Sequence, residues 1–207
     1  MTRVVVAGGG SIGSLLAAHL AQVAEVTVLT RREEHAAALR MNGLQVSGRA
    51  EFRSSLDATA DPAALGDADL AILACKGTDL EPLAAQLEGR LEGATVMTVQ
   101  NGLGAEEIVG AHGDWPLLSS VTFMSGTRHS DTHVEYVLDT ATWIGPHRGT
   151  THEDAIRVAE LIVSSGLKAE AFADLRPAQW SKLIFNATVN GVAALTELAH
   201  DFHFAET

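Results

Sequence analysis

Lys182, Asn186 and Asn190 stand four residues apart in a stretch that reads as helix. At 3.6 residues per turn they fall on one stripe roughly 80° wide, so one ammonium and two carboxamides face a common partner. Asparagine is a poor interior helix former, and a purely solvated stripe more usually carries Glu, Lys and Arg; the pattern therefore favours a ligand-facing stripe over a solvated one. An ammonium so placed can stabilise charge developing on an oxygen and deliver a proton to it.

A second cluster lies at the N-terminus, where the apolar run Val4 to Ala7 enters Gly8-Gly9-Gly10-Ser11-Ile12-Gly13. This is a G-x-G-x-x-G turn between strand and helix. Gly8 permits the tight turn, Gly10 lets the backbone approach a pyrophosphate, and Gly13 allows close packing of helix on strand. Ser11 and Ile12 open the helix whose N-terminus would face the phosphates. The alternative is a tight glycine turn without a ligand. The next strand ends in Thr30-Arg31-Arg32, with threonine where an acid would bind the ribose hydroxyl of NAD. A guanidinium suits a 2′-phosphate, so Arg31 points to NADP, with solvated loop charges as the alternative.

Two further segments place polar groups where strands should end. Lys76 can meet a substrate carboxylate or a cofactor ribose, or simply solvate its loop. Asn101, in Gln100-Asn101-Gly102, offers both donor and acceptor, or serves only as an Asn-Gly turn. Cys75 reads as a buried strand thiol rather than a nucleophile. His129 and His133 read as surface residues. His200 and His203 lack a third ligand at sensible spacing, so no metal site is expected.

The elements that must position these groups alternate. β-Branched runs at 3–7, 25–29, 44–47, 70–75, 95–99 and 119–123 are separated by alanine- and leucine-rich stretches, the rhythm of parallel strands with crossover helices. Segments 133–137 and 141–144 are expected to pair as an antiparallel hairpin. Ile12, Leu16, Leu20 and Val23 line one helix face, and Ala155, Val158 and Ile162 another. Residues 60–92 should wrap a helix around the sheet. A last helix starts near Asp174 as cap, tolerates Pro177 in its first turn, and puts Trp180, Leu183, Ile184 and Ala187 on an apolar side. The fold class is α/β: a Rossmann-like doubly wound, mainly parallel sheet over 1–167, then the start of an all-α domain over 168–207.

Composition narrows the function further. The 207 residues are 46% hydrophobic and 19% charged, which excludes global disorder. Fourteen basic against twenty-six acidic side chains give a net charge of −12, which repels nucleic-acid backbones while leaving room for a small phosphorylated ligand. No apolar run is long enough to span a membrane, and the single cysteine suits a reducing cytoplasm.

Taken with Arg40-Met41-Asn42-Gly43, Cys75-Lys76, Gln100 to Gly104 and the Trp180-Ser181-Lys182 helix running to Asn190, the glycine turn resembles the ketopantoate reductase (2-dehydropantoate 2-reductase) family. The resemblance implies NADPH-dependent reduction of a 2-keto acid to a 2-hydroxy acid between a nucleotide domain and a helical domain. Lys182 would then be the general acid, Asn101 and Lys76 would line the cofactor side, and Asn101, Asn186 and Asn190 would bind substrate. Family members continue further to supply a serine and a glutamate. Nothing up to Thr207 matches these, Glu206 included, so the chain reads as part of a longer enzyme or as a short paralogue. A related dehydrogenase for another keto or imino acid and a non-catalytic NADP-binding module are the alternatives. The apolar side of the last helix would lie exposed and lead to a homodimer.

Overall fold

Val4, Val5 and Val6 send apolar side chains to both faces of their strand, so the strand must be covered twice. The computed structural model, which describes residues 1–197, covers it in that way. Strand β1 (Arg3–Ala7) leads to α1 (Ser11–Leu20), β2 (Glu25–Leu29) and α2 (Glu33–Asn42). Three short strands, β3 (Leu44–Gly48), β4 (Phe52–Ser54) and β5 (Asp57–Thr59), precede β6 (Leu70–Leu73). Then come α3 (Leu80–Gln86), β7 (Thr95–Thr98), α4 (Ala105–Gly110) and β8 (Leu117–Thr122). The chain continues through β9 (Ser125–Ser130), β10 (His133–Leu138), β11 (Thr142–Pro146), α5 (His152–Ser164), β12 (Ala169–Ala171) and α6 (Arg176–Thr196).

The main sheet has eight strands in the order β12-β11-β8-β7-β6-β1-β2-β5. From β8 to β5 all neighbours run parallel, while β11 is antiparallel to β8. The order reverses between β1 and β6, which opens the crevice where open α/β sheets bind ligands. One face is covered by α1, α2 and α5 through Leu15, Leu16, Leu20, Leu39 and Ile162, and the other by α3 and α4 through Leu80, Ala84 and Val109. Val4 and Val6 belong to the first core and Val5 and Ala7 to the second, the period-two alternation of a buried strand.

The expected hairpin between 133–137 and 141–144 does not form. β10 pairs with β9 and β3 in a separate four-stranded sheet, whereas β11 pairs with β8 and β12 in the main one. Asp139, which accepts from the Tyr136 hydroxyl at 2.8 Å and pairs with Lys168 at 2.7 Å, lies where the chain crosses from one sheet to the other. β3 likewise leaves the main sheet: it pairs with β4 and β10, while Leu44 and Val46 still bury in the core shared with β1 and β2. Smaller differences follow from local packing. α1 ends at Leu20 rather than Val23, β6 stops two residues short of Cys75, and within 60–92 the α-helix is Leu80–Gln86, with single 3-10 turns at Pro62–Ala64 and Gly77–Asp79. Leu175, not Asp174, is the N-cap of α6; Asp174 accepts the backbone N–H of Arg176 at 3.1 Å from one residue earlier. Beyond residue 167, β12 hydrogen-bonds to the edge of the main sheet.

His19 joins α1 to three other parts of the fold. Its Nδ1 donates to the Ser165 carbonyl at 3.0 Å, and its ring meets Phe52 and Tyr136 edge-on at 4.8 and 5.7 Å. Burial holds both His19 and His35 below the ordinary histidine value of 6.5. The unfolded chain therefore takes up protons near pH 6.5 that the folded chain refuses, so this stability is present above that value and lost as the pH falls. The thermal midpoint should drop on acidification from about pH 7.5 to about pH 5.5, and His19→Gln should flatten part of that slope. A slope unchanged by His19→Gln would count against this account.

Candidate functional site

Because β2, β1, β6, β7 and β8 are parallel, their carboxyl ends lie along one edge of the sheet. That edge carries, in order, Thr30 and Arg31, the glycine turn, Cys75 and Lys76, Gln100 and Asn101, and Thr122 with Phe123. Sequence positions far apart are thus brought to one crevice by topology.

The glycine turn closes tightly at two of its positions. Gly8 has φ of +117°, and a methyl built there would meet the backbone nitrogen of Cys75 at 2.7 Å. A methyl on Gly13 would come within 1.9 Å of the Gly8 carbonyl oxygen. Gly10 faces the other way: a methyl there meets nothing within 4 Å. Gly10 is also the N-cap of α1, with no side-chain cap, so the first N–H groups of the helix remain free for an anion. The Ser11 hydroxyl is half-buried and uncommitted among the described residues, while the Ile12 side chain packs on the core and leaves only its backbone for a ligand. An open Gly10, free helix N–H groups and a basic loop fit a dinucleotide.

The two arginines after β2 have different fates. Arg32 places its guanidinium on Asp131 of the small sheet at 2.8 and 2.9 Å, and Arg128 joins the same carboxylate at 2.8 Å. Arg31 stays exposed and reaches Asp79 at only 3.6 Å, a loose surface pair that water screens. Arg31 is thus the guanidinium of the pair that a phosphate can claim.

Gln100, quoted from sequence without a role, ties the next two loops together. Its amide nitrogen donates to the carbonyls of Leu73 and Cys75 at 2.7 and 3.0 Å. This holds the loop bearing Lys76 beside the one bearing Asn101. Both of those residues are exposed and, among the described residues, make no side-chain hydrogen bond or ion pair. Cys75 is half-buried just past the strand; burial, aided by Asp79, pushes its thiol up to about 11. It is no nucleophile near neutral pH.

α6 crosses the end of β8. Lys182 is half-buried, donates to the Thr122 carbonyl and sits 4.5 Å over the Phe123 ring. Burial lowers its pKa from the ordinary 10.5. Phe185 packs against Phe123 at 5.9 Å, which seats the helix. Asn186 is half-buried and Asn190 exposed on the same stripe, and neither has a side-chain partner among the described residues. Trp180 and Ile184 are 55% and 62% exposed, as expected, but Leu183 is half-buried.

Other histidines lie elsewhere. His129 pairs with Glu135 and His133 with Ser47 on the small sheet. His200, His203 and Glu206 fall outside the described residues. Among the described residues no group of three or more potential metal ligands converges, and no helix is long and apolar enough to cross a membrane. Sequence reasoning missed His35, Asp131, Thr122 and Phe123. Their contacts with Gly9, Arg32, Lys182 and Phe185 respectively span 26 to 99 residues of chain, beyond any local pattern, although His35 with Ala36 and Leu39 does mark the buried side of α2.

The sequence profile of the ketopantoate reductase PanE/ApbA family matches residues 4–149. A 2-dehydropantoate 2-reductase of Halobacterium salinarum is 32% identical over 202 residues, covering 95% of this chain and 66% of the relative. A crystal structure of a probable 2-dehydropantoate 2-reductase from Bacillus subtilis superposes with a TM-score of 0.83 at 27% identity, covering 95% of this chain and 67% of that one. The fold is also shared, with a TM-score of 0.87 at 21% identity over 95% of this chain and 65% of that one, by a structure of D-mandelate dehydrogenase with NADH and anilino(oxo)acetate. The chain therefore spans about two thirds of the length of its curated relatives, and across that span it belongs to the ketopantoate reductase family.

Proposed function

We propose that this chain binds NADPH and reduces a 2-keto acid of the ketopantoate type to the 2-hydroxy acid, with Lys182 as proton donor. The observation that carries the reading is a half-buried ammonium anchored at the end of β8, on the same sheet edge as the glycine turn of β1. Three strand spacings, about 14 Å, separate the two strand ends.

When bound, NADPH supplies the hydride. Gly10 with the N–H groups of Ser11 and Ile12 would hold the pyrophosphate in a turn that Gly8 and Gly13 close, and Arg31 would hold the 2′-phosphate. Lys76 and Asn101 line the cofactor side, and Asn101, Asn186 and Asn190 hold the substrate. Lys182 stabilises the oxygen on which negative charge builds and gives it a proton. Its lowered pKa makes it a stronger acid than a solvated lysine. Its carbonyl anchor at Thr122 aims the ammonium without neutralising it. The setting proposed is the cytoplasm, where a lone thiol needs no partner.

Arg31→Ala should weaken NADPH binding about tenfold, the scale of one charge-assisted contact, and leave NADH binding nearly unchanged. Equal losses for both cofactors in a fluorescence titration would sink the NADP assignment. In protein competent for turnover, Lys182→Ala should lower kcat by at least about a hundredfold with NADPH affinity preserved. The rate should also decline with rising pH through a midpoint below 10.5, because the donor must be protonated. Survival of kcat within a few-fold would move the acid elsewhere. The substrate panel should include aryl 2-keto acids, given the fold shared with D-mandelate dehydrogenase. Cofactor binding with no turnover on that panel would instead favour a non-catalytic NADP-binding module.

We also propose a homodimer through α6, where Trp180, Ile184 and Phe185 are each at least half exposed. Light scattering should give about twice the 21.8 kDa chain mass. A stable monomer at micromolar concentration would contradict this.

A further inference from the structure

The phosphate turn carries one glycine more than its motif needs. Gly9 stands at the variable position and is absent from the positive-φ glycines, so its backbone conformation does not require glycine. The reason lies on another helix. A methyl built on Gly9 would meet Cε1 of His35 at 2.6 Å and Nε2 at 3.3 Å. His35, the third residue of α2, is only 5% exposed, so its ring cannot swing into solvent to make room.

The ring is also held from behind. Its Nδ1 faces the Asp131 carboxylate at 4.0 Å, and Asp131 is fixed in turn by Arg32 and Arg128. Its Nε2 is buried against the turn and has no hydrogen-bond partner among the described residues. Burial, helped by Arg32 and Arg128 and opposed by Asp131, holds the ring below the ordinary histidine value of 6.5. The small sheet thus reaches the phosphate turn through an unbroken line of contacts: Asp131, His35, Gly9.

We propose that His35 is a positioning residue for the pyrophosphate of the dinucleotide. It acts through Gly9 and sets how far the turn's backbone stands out toward the ligand, and Gly9 is glycine because that imidazole occupies the place of its side chain. The inference rests on the cofactor reading above. It predicts a specific non-additivity, since the two residues act at one contact.

The test is a double-mutant cycle read as the Kd for NADPH, with the thermal midpoint of each variant recorded alongside. Gly9→Ala should weaken binding by about tenfold or more while His35 is present. With His35→Ala in the background, the same Gly9→Ala change should cost no more than about threefold, because the methyl then fills vacated space. His35→Ser provides the same cycle should His35→Ala fail to fold. An equal loss from Gly9→Ala in both backgrounds would overturn the inference, since the ligand's own approach would then demand the glycine. Thermal midpoints that fall in the His35 variants while Kd stays unchanged would also overturn it, leaving the histidine a packing residue. Absence of NADPH binding by the unchanged chain would remove the cofactor reading itself and the inference with it.

Discussion

The close approach of α1 to β1 is the constraint on which the rest of the site depends. At Gly13 there is room for a hydrogen and nothing larger, since a methyl would sit 1.9 Å from the Gly8 carbonyl. That contact brings the helix N-terminus directly over the end of the strand, so its free N–H groups point into the crevice between β1 and β6. Gly8 in turn lies against the backbone of Ala74 and Cys75, which passes the position of the turn to the next strand end. Gln100 extends the line by bridging the carbonyls of Leu73 and Cys75. The edge is therefore built from backbone approaches and one amide, which leaves the longer polar side chains of Arg31, Lys76 and Asn101 uncommitted to holding it together.

Charge is distributed to the same effect. An acidic protein must keep cationic groups unspent wherever it binds an anion. Asp131 takes up both Arg32 and Arg128, which fastens the small sheet to the start of α2. Arg31 makes only a long contact with Asp79 and stays largely in solvent. Lys76 has no anionic partner among the described residues. Arg32 and Arg128 thus share one carboxylate, while Arg31 and Lys76 stay open to solvent.

Lys182 illustrates how burial without a counter-ion changes a side chain's chemistry. A carbonyl and an aromatic face surround its ammonium, and these orient the charge without pairing it. Desolvation then weakens its hold on the proton. α6 is thereby tied to the sheet at Thr122 and Phe123, while Trp180 and Ile184 on the rest of its surface remain open to solvent.

The sequence by itself determined the apolar, β-branched runs of β1, β2, β6 and β7, the strand-turn-helix around Gly8 to Gly13, and the stripe of Lys182, Asn186 and Asn190. Each rests on neighbours within a few residues, where φ, helical period and strand alternation decide the outcome. Tertiary structure alone decided which strands pair: β10 and β11 are three residues apart yet belong to different sheets, because pairing energy depends on partners such as β3 and β8 that are distant in the chain. It likewise decided which of two adjacent arginines is free, since Asp131 lies 99 residues from Arg32. Gly9 shows the same division within a single motif. Gly13 is explained by its approach to Gly8 and Gly8 by its positive φ, both within the turn, whereas Gly9 is explained by an imidazole from α2 that packing places against it.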